Sequence, residues 1–260
     1  MILKYEYRST SQFSSSVNSH AFLLRCKPYE SLCQRIVECD LEIDGCGGWT
    51  EQRDSFGNSI IFGSIDTPHD KFCVKSCGAV EVSECQQVAD VCNPVFCYPS
   101  PLVFWNGAIA DFASHFRCSD PAKTVLSLCN AVHDRIEYKS GSTDNSTDSV
   151  TVFNQQFGVC QDFSHVLIAM FRSLKIPARY VAGYVRGLQL SHAWTEVYYD
   201  GYWHGVDSTE NITALDGYIK IAHGRDASDC PLNRGIFCGS VVEESRIEIK
   251  VGYVRMRGLG

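Results

Sequence analysis

Apolar and polar positions alternate in short runs over the first hundred residues. The run Ile36-Val37-Glu38-Cys39-Asp40-Leu41-Glu42-Ile43 is the clearest, and 59–62, 71–74 and 79–82 continue the pattern. Asp54-Ser55-Phe56-Gly57-Asn58 reads as a turn between two of them. A period of two with polar turns predicts short antiparallel strands in a sandwich or meander. Pro94, Pro99 and Pro101 then interrupt the pattern. They set an expected boundary between a β-rich N-terminal domain over 1–98 and a core over 99–260 that ends in further strands.

Past the prolines the period lengthens. Residues 111–116 and 121–136 read as helices, the second with Asp120 as N-cap and Pro121 at its first position. The polar stretch 140–149 reads as an exposed loop. After Cys160, the residues Phe163, Val166, Leu167, Met170, Phe171 and Leu174 recur at helical spacing and define one buried face. Cys160 precedes Phe163 by three positions and shares that face. Ile176-Pro177 ends the helix. Strands are expected at 179–186, 191–199 and 202–207, and one or two more within 241–254. The class is α+β.

Candidate chemistry follows from the register of the last hairpin. Asp200-Gly201 is a strong two-residue turn signal. A tight turn sets Tyr199 opposite Tyr202, His192 opposite Thr209, and Asp207 diagonal to His192 on the same face. If the start of the Cys160 helix packs on that face, the helix N-terminus favours the thiolate and His192 takes the thiol proton. Asp207 then orients the ring. Each residue also has a plainer role: Cys160 as a core thiol, His192 paired with Glu196, Asp207 as a turn cap.

Composition narrows the classes. The chain has 23 basic and 30 acidic side chains, a net charge of -7, which argues against nucleic acid or an anionic membrane as the main partner. The opening MILKYEYRSTSQF lacks an export-type apolar run, and no stretch has the length of a membrane span. A soluble, cytoplasmic protein is expected, in which the sequons at Asn145 and Asn211 are chance matches. The 14 cysteines lack close Cys-x-x-Cys pairs, so they read as reduced, small core residues rather than a metal site. Asp144 and Asp148 are too few for a calcium loop. No phosphate or dinucleotide loop is present, and no cofactor is expected. His20, His69, His115, His133 and His223 read as surface or structural, and His204 faces away from Asp207.

Three blocks carry a family resemblance: Gly158-Val159-Cys160-Gln161-Asp162-Phe163-Ser164-His165, Ile176 to Tyr184 (IPARYVAGY), and Ser191-His192-Ala193-Trp194-Thr195-Glu196-Val197. With Trp203-His204-Gly205-Val206-Asp207-Ser208-Thr209 they resemble the core of bacterial transglutaminase-like cysteine proteases over about residues 100–240. Asp54 to Asn58 is similar to the turn of the β-rich domain that precedes that core in many bacterial members. The resemblance implies a papain-like helix packed on an antiparallel sheet, and acyl transfer from an amide through a thioester. Cys160 would be nucleophile, His192 acid and base, and Asp207 the orienting group, with Asp162, Trp194 and His165 in support and no metal. Ser164 and Ser208 depart from the alanine and proline of several members, which bears on substrate fit. A peptide or protein substrate is implied, and a homo-oligomer stays open. Three readings follow: a hydrolase of peptide or isopeptide bonds, an amine-accepting transferase, and a non-catalytic peptide-binding module on the same fold.

Overall fold

The computed structural model describes residues 1–83, 88–89 and 91–253. Cys85 and Val254, which entered the sequence reading, lie outside them. The strands are β1 (Ile2–Leu24), β2 (Gln34–Ile43), β3 (Trp49–Arg53), β4 (Ser59–Ile65), β5 (His69–Val82), β6 (Val88–Ala89) and β7 (Glu137–Tyr138). They continue as β8 (Phe157–Gly158), β9 (Ala178–Val185), β10 (His192–Tyr199), β11 (Tyr202–Val206), β12 (Tyr218–Gly224), β13 (Asn233–Cys238) and β14 (Glu243–Tyr253). The α-helices are α1 (Gly107–Ser114), α2 (Pro121–Arg135), α3 (Ser149–Gln155) and α4 (Cys160–Ser173).

The class is α+β, with a large antiparallel sheet first. That sheet has seven strands in the order β2-β5-β1-β4-β3, with β13 and β14 also paired to β1. The strands are not uniformly short, because β1 alternates for 23 residues. Its buried positions are odd-numbered from Leu3 to Val17 and even-numbered from His20 to Leu24. The change of face occurs at Ser19, which takes a left-handed φ of 49°, where the β1–β13 register also shifts. An added residue reverses the side-chain alternation, which is what a bulge does. His20 is thereby turned inward, which excludes the surface alternative of its expected reading and leaves the structural one.

The second sheet has the order β12-β9-β10-β11-β6. α4 covers one face, burying Phe163, Leu167, Met170 and Phe171 in the same core as Ala178, Ala182, Ala193 and Val197. Trp194, Val181, Val185, Leu215 and Tyr218 form a separate cluster, as the alternation along β9 and β10 requires. Glu196, of the same parity as Trp194, accepts from Arg179 and from Lys220 at 2.6 Å, all three buried. The Arg179 guanidinium lies over the Trp203 ring at 4.0 Å.

The N-terminal turn Asp54–Asn58 locks onto this second sheet. The Asn58 amide donates to the His223 carbonyl (2.8 Å) and accepts from its N–H (2.9 Å). Gln34 of β2 likewise donates to the Lys220 carbonyl and accepts from its N–H (both 2.8 Å), and Tyr7 of β1 stacks on Tyr184 of β9 with centroids 5.6 Å apart. The chain then returns to the first sheet through β13 and β14, whose Ile249 N–H donates to Gln189 O at 2.8 Å.

Asp120 caps α2 as its sequence indicates, accepting from the Ala122 and Lys123 N–H groups. Several elements were not anticipated, among them β3, β12, α3 and β13. α3 begins where the polar loop ends, with Asp148 accepting from the Val150 and Thr151 N–H groups; at seven residues it is too short to show a periodic face. β13 has Ile236 and Phe237 as its strand-favouring residues beside Asn233 and Gly235, too short a run to signal a strand. Among the cysteines, Cys26, Cys73, Cys129 and Cys230 are buried thiols, most others are half-buried, and Cys118 and Cys238 are exposed.

Candidate active site

The start of α4 is shaped by a close approach. Asp162, in its first turn, folds its carboxylate back to accept from the Val159 N–H (2.7 Å) and from the Thr143 hydroxyl (2.6 Å). A Cβ at residue 158 would lie 2.6 Å from Asp162 Cβ, so only glycine leaves room for this fold-back. Asp162 is fully buried, and burial raises its pKa against the lowering effect of its two donors. Its supporting position therefore has a defined task, which is to fix the helix start and tie the 140–149 loop to it. Cys160 and Gln161 open α4, where backbone N–H groups have no intrahelical acceptor.

The β10–β11 hairpin keeps the expected register from Tyr199↔Tyr202 to Thr195↔Val206, and Asp200 and Gly201 both take positive φ (51° and 85°). The ladder then stops. Asp207 instead exchanges backbone hydrogen bonds with Ile212 (2.9 and 3.0 Å), so His192 is not paired with Thr209. The expected side-chain contact forms nonetheless. His192 Nε2 donates to Asp207 Oδ2 at 2.6 Å. The same oxygen accepts from the Tyr218 hydroxyl at 2.8 Å, and Oδ1 accepts from the Thr209 (2.8 Å) and Glu210 (3.3 Å) N–H groups. Asp207 is fully buried with four donors around its carboxylate.

α4 does not pack on the His192 face. Its contacts are with residues of the opposite parity: Thr195 donates to the Ser164 carbonyl at 3.5 Å, and Ala193 and Val197 share the α4 core. His192 is the first residue of β10, at the end of the sheet. There the Cys160 thiol comes near enough to the ring to raise the His192 pKa. With Nε2 committed to Asp207, Nδ1 is the nitrogen left for the thiol. Burial lowers the His192 pKa, but Asp207 and Cys160 outweigh burial and raise it to about 10. For Asp207, burial raises the pKa, and His192 and Tyr218 outweigh it and hold the carboxyl below its ordinary value.

Trp194 is buried edge-on to Tyr218 at 5.3 Å and so braces the residue that donates to Asp207. Tyr218 was missed in the sequence; it follows no hairpin register, and only its place at the start of β12 brings it here. His165 does not reach the Cys160–His192 pair. Its Nε2 accepts from the Ala227 N–H at 3.1 Å, and burial drives its pKa down to about 4. It is a neutral link between α4 and the segment after β12. His192 is not paired with Glu196, whose carboxylate is taken by Arg179 and Lys220. His204 stacks on Tyr199 at 3.7 Å. His223 is buried beside Arg179, not exposed.

Cys160 and His192 open onto a cleft of about 600 Å³. Its opposite wall comes from the first sheet, through Ser9, Ser11, His20, Gly235 and Ser245. Among the described residues no cluster of three or more His, Cys, Asp or Glu could hold a metal ion. No described helix is long and apolar enough to cross a membrane.

Comparison with known proteins agrees with this architecture. Residues 110–208 match the transglutaminase-like superfamily core, and residues 3–81 match the bacterial transglutaminase-like N-terminal region. An uncharacterised protein of Mycobacterium tuberculosis is 28% identical over 291 residues, covering 97% of this chain and 91% of its own. One from Mycobacterium leprae is 28% identical over 142 residues, and the match spans only 50% of that protein. A solved structure from Cytophaga hutchinsonii, described as a candidate cysteine protease, superposes with a TM-score of 0.78 at 24% identity, covering 98% of this chain and 93% of that one. The chain belongs to the transglutaminase-like superfamily, with the bacterial N-terminal region ahead of its core.

Proposed function

We propose that this protein is a cysteine-dependent enzyme acting on amide bonds, with water as the acyl acceptor: a hydrolase of peptide or isopeptide bonds. The observation that carries the reading is Asp207 bonded to His192 at 2.6 Å in the cleft that Cys160 also lines, with the imidazole favoured in its charged form. An imidazolium beside the thiol favours the thiolate, the nucleophilic form.

In the acylation step Cys160 Sγ attacks the amide carbon, and the carbonyl electrons move to oxygen. The N–H groups of Cys160 and Gln161, without intrahelical acceptors at the start of α4, would donate to that oxyanion. His192 passes its Nδ1 proton to the departing nitrogen as the C–N bond breaks, leaving a thioester. Water then adds as His192 takes its proton, and the acid and free thiol are released. Asp207 holds the ring orientation and its charge throughout. Tyr218, Thr209 and Glu210 hold Asp207. The substrate is a peptide or protein, and the reading needs no metal or cofactor.

The test is incubation with a defined peptide library, with and without a biotinylated alkylamine, analysed by mass spectrometry. The reading expects new termini that vanish in Cys160→Ala. Amine incorporation at glutamine without new termini would overturn hydrolysis in favour of transfer. Neither product, with peptides still retained by Cys160→Ala, would leave the peptide-binding module as the better account.

A further inference from the structure

The cleft that holds Cys160 and His192 also reaches His20, which is 2% exposed. The tautomers here follow from the hydrogen bonds. His69 Nδ1 lies 2.9 Å from the Thr67 carbonyl, an acceptor only, so it carries a proton. His69 Nε2 is then the acceptor for His20 Nδ1–H at 3.1 Å. That leaves His20 Nε2 in the neutral ring with a bare lone pair. Burial and then His69 lower the His20 pKa against the raising effect of Glu243, which agrees with a neutral ring.

The bare nitrogen is uncovered because residue 235 is glycine: a Cβ there would lie 2.7 Å from His20 Nε2. The rest of this end of the cleft also accepts more than it donates. Ser11 and Ser245 share a hydrogen bond at 3.1 Å, and Ser245 donates onward to Glu243 at 2.8 Å. Glu243, exposed, lines the same cleft. Arg234 also lines the cleft but alternates to the face of β13 opposite Gly235.

We propose that this end of the cleft is a subsite for a primary ammonium group of the substrate, held by His20 Nε2 and the Glu243 carboxylate. The assignment rests on the reading that Cys160 attacks an amide in the same cleft. A lysine side chain and a chain-terminal α-amine share this chemistry, and both present three N–H donors to a neutral imidazole, a carboxylate and a hydroxyl. The substrate class is thereby narrowed to peptides whose ammonium and scissile amide fit together within this cleft.

The test uses three series of chloroacetamides of graded length, ending in an alkylammonium, a glycyl α-ammonium or a hydroxyl. Labelling of Cys160 is followed by mass spectrometry. One ammonium series is expected to label at least about tenfold faster than the hydroxyl series, the size of one charge-assisted hydrogen bond. Which series does so identifies the source of the amine. Gly235→Ala, which covers the nitrogen, and His20→Phe, which keeps the aromatic packing, should erase the ratio; His20→Gln, which restores an acceptor, should retain much of it. The rate with the hydroxyl series reports the thiol alone, so a sluggish Cys160 counts against the hydrolase reading without touching the ratio. Should the thiol not label at all, ring-nitrogen NMR of Cys160→Ala with n-pentylammonium against n-pentanol decides the subsite. A His20 Nε2 shift with the ammonium alone supports it. An equal ratio in wild type and His20→Phe, or no shift, overturns it.

Discussion

Four donors converge on the carboxylate of Asp207, and only one of them is the histidine it would orient. A buried carboxylate with so many partners stays ionised, and its charge is available to hold His192 as an imidazolium. Asp207→Asn should therefore lower the His192 pKa by at least a unit and slow Cys160 alkylation near pH 6 by about tenfold or more. Tyr218→Phe removes one charge-assisted bond. It should destabilise the fold by about 1.5–3 kcal/mol and move the Asp207 pKa upward, read by denaturation and by carboxyl NMR. Cys160, His192 and Asp207 were legible at this scale because their residue types and the hairpin turn pointed to one chemistry. Tyr218 and His20 were not, since one arrives by tertiary packing and the other by a change of face at Ser19.

At the scale of elements, the start of α4 depends on a glycine that makes room for an acid. Gly158→Ala forces Asp162 off the Val159 N–H, and a cost of about 1–3 kcal/mol is expected from overpacking, with slower alkylation of Cys160 as the second readout. An unchanged melting temperature would show that the fold-back is dispensable. The α4 pattern and the β10–β11 register were readable because each has a strict period and a strong turn. The ladder's end at Thr195↔Val206 was not, because the bridge from Asp207 to Ile212 competes with it and carries no period. Nor was the face on which α4 lies, since alternation fixes which residues share a face but not which face a helix will cover.

Across the whole molecule, a buried charge network braces the second sheet from within, and β13 and β14 carry the chain back to the first. Burial raises the Glu196 pKa, but Arg179 and Lys220 outweigh it and pull the carboxyl down to about 2. Its ordinary value is about 4.3. The stabilisation is thus complete above about pH 4.3 and is lost as pH falls toward 2. Glu196→Ala leaves two cations buried without their acid and should cost about 3–5 kcal/mol. Urea titration at pH 7 checks the cost, and it should shrink when repeated near pH 3. The return of β13 and β14 to β1 makes the N-terminal sheet a wall of the cleft, so that changes there alter what reaches Cys160.

The central claim is that Cys160 is an activated thiol. It is tested most directly by sub-stoichiometric alkylation from pH 5 to 9, with the modified cysteines mapped by mass spectrometry in wild type and His192→Ala. Preferential labelling of Cys160 near pH 6, lost in His192→Ala while the exposed Cys118 and Cys238 are unaffected, is the predicted result. Labelling of Cys160 that rises only above pH 8, at the same rate in both proteins, would contradict it.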